Sequence, residues 1–277
     1  MKILQTNPYN YQMAKRPNFG QVNKQAIHHA VAEYTPRLFY NPVNFNKGED
    51  ALNLVNRYMN RMYSEIDEFK VAGSSILQPS EIPMSLLYRI ADKEIPKMER
   101  HAKQRVLYIV TGRMGSGKTT FVNDHGLFDY CYSPDADCIK PLLPGYEEKG
   151  SDFVHKASCN INFANLSEAL SRGINSVLQT ATTLERIDSI ISEAKLNGYK
   201  DIVLVHIDTN EENAIKRTKE RAAKCGRAVD PEAIRLRKYI DEIVPVYQNP
   251  EKGISQLIVY NNDGDFPIQV KNIYVNK

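Results

Sequence analysis

Tryptophan is absent from this chain, and cysteine is scarce. Aromatic packing therefore has to rest on 16 Tyr and 9 Phe. The 4 cysteines form no C-x-x-C pair and have no histidine at zinc-finger spacing, which argues against a zinc site and against a disulfide framework. We expect reduced thiols in a cytoplasmic protein.

Long apolar runs and a strong net charge are missing as well. No stretch approaches the roughly 18 apolar residues of a membrane span. The N-terminal string MKILQTNPYN lacks the apolar core of a signal peptide. A net charge of +3 on 277 residues is too small to indicate a binder of long polyanions. We therefore expect neither membrane insertion nor nucleic-acid binding, whereas a small anionic substrate needs only a local basic cluster.

The first part of the chain does not share the pattern of the rest. Residues 1–48 are rich in Asn, Gln, Pro and Tyr, which predicts a partly ordered N-terminal arm. Residues 49–104 carry apolar residues at three- and four-residue steps, which predicts a helical accessory segment. Strands alternate with helices over residues 105–277. This order predicts an α/β domain whose mostly parallel sheet is covered by helices, with an N-terminal helical extension.

Apolar runs and breaking residues give the expected elements of the α/β domain. Strands are predicted at 105–111, 128–133, 174–180, 201–208 and 255–263, and the last residues form a short strand or a tail. Helices are predicted after the first strand, at 157–173, from 183 to 198, after residue 209 and at 231–247.

A glycine-rich loop follows the first predicted strand. The string GRMGSGKTT begins at residue 112 and has the spacing G-x-x-x-x-G-K-[ST] of a phosphate-binding loop. Its glycines let backbone N–H groups approach phosphates closely. In this motif Lys118 reaches the β- and γ-phosphates, and the Thr119 hydroxyl ligates Mg²⁺. The residues expected to bind the nucleotide are Gly112, Gly115, Ser116, Gly117, Lys118, Thr119 and Thr120.

Two carboxylates follow the second predicted strand. Asp135 and Asp137, in SPDADCIK, come at the carboxyl end of a strand, where ligands of parallel sheets bind. A carboxylate there can accept the proton of an acceptor hydroxyl, although Pro and Asp are also common in simple turns. No guanine-reading N-K-x-D follows the loop, and the chain beyond it is short for a motor ATPase. A small-molecule kinase fits this size.

In this order, several segments resemble the zeta-toxin family of P-loop kinases. GRMGSGKTT resembles the family's phosphate loop, DADCIK its D-x-D-x-x-K segment and VHKAS its histidine-containing helix start. VLQTAT resembles the strand that usually ends in an acidic residue, residues 194–234 resemble the lid and its flanks, and VYNND resembles the final strand. The likeness covers about residues 105–265.

The resemblance implies a kinase that uses ATP or GTP with Mg²⁺. Characterised relatives phosphorylate UDP-N-acetylglucosamine, a nucleotide-sugar, and are restrained by a small antitoxin. By position, the resemblance makes Asp137 the general base, with Asp135 beside it. It makes Arg221 and Arg227 lid arginines that neutralise the transferring phosphoryl group, with Arg217 as a further candidate. The catalytic set is then Asp137, Lys118, Arg221 and Arg227, and the acceptor set is Asp135, His155, Gln179 and Thr180.

Some positions depart from the family pattern, and they fall in the acceptor half. Gln179 replaces the expected carboxylate at the strand end, Ala181 replaces a frequent Thr, and Ala157 replaces an acidic residue. Glutamine keeps the hydrogen bonding of a carboxylate but loses its charge. Three hypotheses follow. The chain is a nucleotide-sugar kinase, a nucleotide-binding module with little or no kinase activity, or a P-loop kinase with another acceptor, such as a polynucleotide end or a dinucleotide cofactor.

Overall fold

The computed structural model describes residues 47–65, 75–98, 104–225, 229–236, 238–264 and 267–275. The expected N-terminal arm therefore lies outside the described residues, apart from its last two positions. Within the described ranges, no helix is both long enough and apolar enough to cross a bilayer.

A five-stranded sheet is the centre of the described structure. Its strands are β1 (Val106–Thr111), β2 (Ser176–Thr180), β3 (Asp201–Asp208), β4 (Gln256–Asn261) and β5 (Ile268–Tyr274). The spatial order is β2-β1-β3-β4-β5. The first three pairings are parallel, and β5 runs antiparallel to β4 at one edge. The prediction of a mostly parallel sheet is confirmed, and β1 lies between two parallel neighbours.

Helices surround this sheet. They are α1 (Lys47–Ser64), α2 (Met84–Glu94), α3 (Lys118–Asp124), α4 (Leu127–Tyr130), α5 (Ala136–Ile139), α6 (Tyr146–Lys149), α7 (Ser151–Ser171), α8 (Leu184–Leu196), α9 (Glu211–Cys225), α10 (Pro231–Arg235) and α11 (Ile243–Tyr247). Single 3₁₀ turns occur at Pro79–Glu81, Ile95–Met98, Lys140–Leu142, Lys238–Glu242 and Pro250–Lys252.

Two predicted elements differ from the observed ones in type or continuity rather than in their bounds alone. The aromatic string at 128–133 predicted a strand, but Gly126 has φ +65° and turns the chain into the short α4. Only Tyr132 pairs with the sheet, through an isolated bridge to Ser176. The helix predicted at 231–247 is divided into α10, a 3₁₀ turn and α11. In both places tertiary packing overrides the local preference of the sequence.

The two faces of the sheet and the N-terminal helices form separate apolar clusters. One face packs residues such as Leu107 and Leu204 under α8 and α11, and the other packs Val110 and Val205 with α3. A third cluster joins α1 and α2 to α7. The expected accessory segment 49–104 thus shares a buried core with α7, and its boundary as a separate unit stays a prediction.

Helix α1 lies along α7 in the opposite direction. Near the start of the contact, Arg57 pairs with Glu168, and the buried Tyr58 hydroxyl donates to Asn165 Oδ1 at 2.5 Å. At the other end, Glu65 pairs with Lys156 in the second turn of α7. Since α7 begins at the edge of the sheet where the parallel strands end, the end of α1 reaches that edge too.

The Tyr58 hydrogen bond gives a direct test of this packing. Tyr58→Phe leaves the buried Asn165 oxygen without its donor, so the free energy of unfolding should fall by about 1–3 kcal/mol. Urea denaturation followed by circular dichroism measures the loss. Tyr63→Phe, at an exposed tyrosine of the same helix, is the matched control and should change it by less than about 0.5 kcal/mol. Equal effects of the two substitutions would contradict the described α1–α7 contact.

Candidate active site

The phosphate loop joins β1 to α3 and depends on three glycines. Gly112, Gly115 and Gly117 have φ of +144°, +87° and +96°. A Cβ on Gly112 would collide with the carbonyl oxygen of Ile207 in β3, and one on Gly115 would come within 2.6 Å of the Ala214 carbonyl oxygen in α9. The loop is therefore held against β3 and α9 with no space for side chains, as a close backbone cradle for phosphate requires.

The lysine of the loop turns back over the loop itself. Lys118 Nζ donates to the carbonyl oxygens of Gly112 at 2.9 Å and Arg113 at 2.8 Å. Ser116 Oγ is buried and has no hydrogen-bond partner among the described residues. A cradle closed to Cβ atoms, an ammonium above it and an orphaned hydroxyl inside it fit the phosphates of a nucleoside triphosphate.

A residue of the loop contacts one of the predicted acceptor residues, Gln179. Gln179 lies opposite Val110 in the parallel β1–β2 pairing. Thr119 Oγ1 donates to Gln179 Oε1 at 2.8 Å. These two neutral oxygens suit a hard cation such as Mg²⁺, although a carboxylate at position 179 would add charge. Thr120 is exposed, and Thr180 Oγ1 accepts from the Thr182 backbone N–H at 3.1 Å.

An ion pair between a buried arginine of the loop and an exposed carboxylate was not predicted from the sequence. Arg113 Nη2 donates to both carboxylate oxygens of Asp241, at 2.6 and 2.8 Å. The Arg113 side chain is only 10% exposed, and its Nε and Nη1 atoms are buried without hydrogen-bond partners among the described residues. In the sequence, only the presence of an arginine within the phosphate-loop motif pointed to this pair. The pair ties the loop to the 3₁₀ turn before α11.

The turn after β4, where the sequence predicted the end of a strand, also contacts the loop. Asn262 Nδ2 donates to the Ser116 carbonyl oxygen at 2.7 Å. Asp263 Oδ1 accepts from the Asn210 backbone N–H at 2.7 Å, just before α9. The signal for this contact was that parallel strands β1 and β4 end at one edge of the sheet.

The predicted acceptor residues lie on short elements beside the sheet. Asp135 caps α5, since its Oδ1 accepts from the Asp137 backbone N–H at 2.9 Å. Asp137 Oδ1 forms an ion pair with Lys140 Nζ at 2.8 Å. His155 is exposed on α7, with its ring 3.7 Å from Cys159 Sγ. Because α5 packs against α7, these side chains belong to neighbouring elements.

Two of the three arginines predicted for the lid lie within the described residues. Arg217 and Arg221 are both half-buried on α9, one turn apart. Arg227 lies outside the described residues. Helix α9 also carries Ala214, which lies against the loop at Gly115. The two visible arginines therefore belong to the helix that touches the phosphate loop.

Comparison with known proteins gives one family and several structural neighbours. A sequence model of the family described as Zeta toxin matches residues 90–238, slightly more than half of the 277 residues. A solved structure of the PezAT chromosomal toxin–antitoxin system of Streptococcus pneumoniae is similar at a TM-score of 0.54 and 16% identity. That match covers 72% of this chain and 83% of the other. A complex of AvrRxo1-ORF1 and -ORF2 with ATP has a TM-score of 0.47 and 16% identity, over 83% and 70% of the two chains. A search among curated proteins gives no match.

A buried histidine beneath the loop is a further residue that the sequence did not indicate. His206 in β3 has its Nδ1 atom 3.0 Å from Thr111 Oγ1. Burial lowers the pKa of His206 to about 4, Asp241 acts in the opposite direction, and Lys118 and Arg113 lower it further. The imidazole is therefore neutral at pH 7.

The lowered pKa predicts a pH-dependent stability. The unfolded chain takes up the proton near pH 6.5 and the folded one near pH 4, so stability is full above pH 6.5 and falls between these values. The loss from this group amounts to about 3 kcal/mol. His206→Gln should remove that part of the pH dependence in urea unfolding measured from pH 4 to 8, whereas His155→Gln, at an exposed site, should not. Parallel pH profiles for wild type and His206→Gln would disprove this assignment.

Proposed function

The chain belongs to the Zeta toxin family, and we propose that it transfers the γ-phosphoryl group of ATP or GTP to a hydroxyl of a small acceptor. The acceptor class that we propose is a nucleotide-sugar such as UDP-N-acetylglucosamine. The observation that carries the proposal is the geometry of the phosphate loop, whose Gly112 and Gly115 lie against backbone carbonyls of β3 and α9 while Lys118 folds over the loop. Two carboxylates, Asp135 and Asp137, lie on the short helix α5 and at its start.

On the nucleotide side, the loop residues bind and neutralise phosphate. Lys118 donates from its ammonium to oxygens of the β- and γ-phosphates. The Arg113 guanidinium, paired with Asp241 through Nη2, keeps its Nε and Nη1 donors in the same loop. The Thr119 hydroxyl and the Gln179 amide oxygen are the proposed protein oxygens beside Mg²⁺. When bound, Mg²⁺ neutralises charge that develops on the phosphate oxygens.

On the acceptor side, Asp137 is the proposed general base. It accepts the proton of the acceptor hydroxyl while that oxygen bonds to the γ-phosphorus. The bond from the γ-phosphorus to the β–γ bridging oxygen breaks, and the nucleoside diphosphate leaves. Lys140, at 2.8 Å, holds the Asp137 carboxylate in one orientation.

The remaining predicted residues have supporting parts in this proposal. Asp135 fixes the start of α5, and with it the position of Asp137. Arg221 on α9, together with Arg227, neutralises the equatorial oxygens of the transferring group. His155 and Thr180 contact the acceptor. We propose a cytoplasmic enzyme with an antitoxin as partner, as in the toxin–antitoxin system named for the Streptococcus pneumoniae neighbour.

A second candidate function is a nucleotide-binding module with little or no kinase activity. The neutral Gln179 favours it, because its amide satisfies the Thr119 hydroxyl without adding negative charge for a metal ion. A third keeps the kinase but changes the acceptor to a polynucleotide end or a dinucleotide cofactor. The small net charge of +3 argues against a long polyanion.

The general base is the sharpest test of the kinase proposal. Asp137→Asn should lower turnover by about 10²–10⁴-fold, because the proton acceptor is lost. The affinity for a non-hydrolysable ATP analogue should change by less than about twofold, since Asp137 lies outside the loop. The measurements are diphosphate release with a panel of acceptors, including UDP-N-acetylglucosamine, and calorimetry. The control is Asp129→Asn at an exposed position of α4.

The outcomes separate the candidates. Unchanged turnover in Asp137→Asn removes that residue as the base. Analogue binding by wild type but not by Lys118→Ala, without turnover on any acceptor, favours the binding module. In that case Gln179→Glu should gain little, whereas a weak kinase should gain activity with Mg²⁺.

A further inference from the structure

The chain between β3 and β4 carries the two described arginines of the predicted lid. Within the described residues it consists of α9, which holds Arg217 and Arg221, then α10, and then the 3₁₀ turn Lys238–Glu242. Helices α9 and α10 are in contact, and Arg235 Nε at the end of α10 lies 3.1 Å from Glu211 Oε1 at the start of α9. We call α9, α10 and this turn the arginine segment.

The start of the arginine segment is joined to the phosphate loop by the turn after β4. Asn262 Nδ2 donates to the Ser116 carbonyl oxygen at 2.7 Å, and Asp263 Oδ1 accepts from the Asn210 backbone N–H at 2.7 Å. In the first turn of α9, Asn213 Nδ2 donates to the Asp263 carbonyl oxygen at 3.1 Å. The loop and the start of α9 therefore share one support.

The end of the arginine segment is joined to the same loop by an ion pair. Arg113 Nη2 donates to both carboxylate oxygens of Asp241, at 2.6 and 2.8 Å. Asp241 is exposed, but it lies between the buried Ile240 and Ile243. Packing therefore fixes the backbone of the turn, and the carboxylate stays accessible. This contact with the loop runs through the two side chains.

Arg113 and the carboxylates at both ends of the segment influence one another. Burial raises the pKa of Asp208, the last residue of β3, and the carboxylates of Asp263 and Asp241 raise it further. The Arg113 guanidinium acts in the opposite direction. The charge of Arg113 is therefore felt where the arginine segment starts as well as where it ends.

The backbone of Arg113 is bound to the lysine that the motif assigns to phosphate. Lys118 Nζ donates to the carbonyl oxygens of Gly112 at 2.9 Å and Arg113 at 2.8 Å. Phosphate oxygens compete with these carbonyls for the ammonium, because a hydrogen bond between two charged groups is the stronger one. Entry of a triphosphate therefore changes the hydrogen bonding of the Arg113 backbone.

The guanidinium of Arg113 is held at one nitrogen only. Its Nε and Nη1 atoms are buried and have no hydrogen-bond partner among the described residues. An arginine that only fastened the turn would be expected to place two nitrogens on the two carboxylate oxygens. Unsatisfied buried donors are costly, so a shift that gives them partners is favourable. The pair is thus able to rearrange when the loop changes.

We propose that Arg113 is a positioning residue, which transmits occupancy of the phosphate loop to the arginine segment through Asp241. The path runs from phosphate to Lys118, from Lys118 to the Arg113 carbonyl, and from the Arg113 guanidinium to Asp241. This inference rests on the proposed function, because Arg221 of the segment is proposed to neutralise the transferring phosphoryl group. It makes nucleotide binding regulate the placement of that arginine.

Hydrogen exchange measured by mass spectrometry tests this path on the full chain. A saturating non-hydrolysable ATP analogue with Mg²⁺ should slow amide exchange about fivefold or more in α3, in α10 and in the 3₁₀ turn. In Asp241→Ala the slowing in α3 should remain, whereas in α10 and the turn it should fall below about twofold, because the link is lost. The matched control is Glu242→Ala, at an exposed carboxylate of the same turn, which should behave as wild type.

A double-mutant cycle and turnover give independent readouts. Arg113→Met should remove the slowing in α10 as Asp241→Ala does, and the double variant should lose no more than either single one. Arg113→Lys, which keeps the charge and a donor, should restore part of it. In the kinase assay, Asp241→Ala should lower kcat by about tenfold or more, because a displaced arginine no longer meets the transferring group. Its KM for the acceptor should stay within about twofold.

Three results would overturn the role of Arg113. They are slowing confined to α3 in the wild type, undiminished slowing of α10 and the turn in Asp241→Ala, and an equal loss in Glu242→Ala and Asp241→Ala. The last would mean that any change in the turn has the same effect. Since Asp241 lies outside the loop, Asp241→Ala keeps the test decisive if Arg113→Met does not bind the analogue.

Failure of the proposed kinase is distinguishable from failure of this path. The expected exchange pattern, with no phosphorylation of any acceptor, supports the path and counts against the kinase. An active kinase whose kcat is the same in Asp241→Ala and wild type counts against the path alone.

Discussion

Backbone-to-backbone contact at the phosphate loop is the constraint on which the rest of the site depends. Gly112 and Gly115 lie against carbonyl groups of β3 and α9, and Gly117 lies against the Asn262 side chain. These contacts are possible only because β1 lies beside β3 in the sheet and because β4 ends at the same edge. The order of the strands therefore determines what surrounds the loop: Asp241 and Asn262 on one side and Gln179 on the other.

The N-terminal helices pack onto the same part of the structure through α7. Helix α1 shares an apolar cluster with α7, and α7 begins at the edge where the loop lies. Arg61 lies in the last turn of this helix, and Glu65, which directly follows it, pairs with Lys156 of α7. Residues outside the family match therefore pack against the helix that carries His155.

Local sequence patterns predicted those elements that depend only on residues close together in the chain. Strand β1 and the loop were predictable because an apolar run followed by a fixed glycine spacing has few other solutions. The strand expected at 128–133 was wrong because aromatic residues favour strands, whereas Gly126 turns the chain locally. Gln179 was recognised as a departure, but its bond to Thr119, 60 positions away, was not.

Sequence patterns did not predict contacts between residues that are far apart in the chain. Arg113 and Asp241 are 128 positions apart, and no spacing rule connects them. The ion pairs of Glu65 join it to Arg61 of α1, Lys156 of α7 and Arg186 of α8, so they form only once α1 has packed on α7 and α8 has followed β2. The residues of the phosphate loop can therefore be identified from the sequence, whereas the contacts around the predicted acceptor residues depend on the fold.

Transfer of a phosphoryl group to a small molecule is the step that separates a kinase from a nucleotide-binding module. Mass spectrometry of metabolites from cells that express wild type or Lys118→Ala detects that step. We expect a metabolite heavier by one phosphoryl group in the wild-type extract alone. Identical metabolites in the two extracts, with both proteins folded and equally abundant, would contradict it.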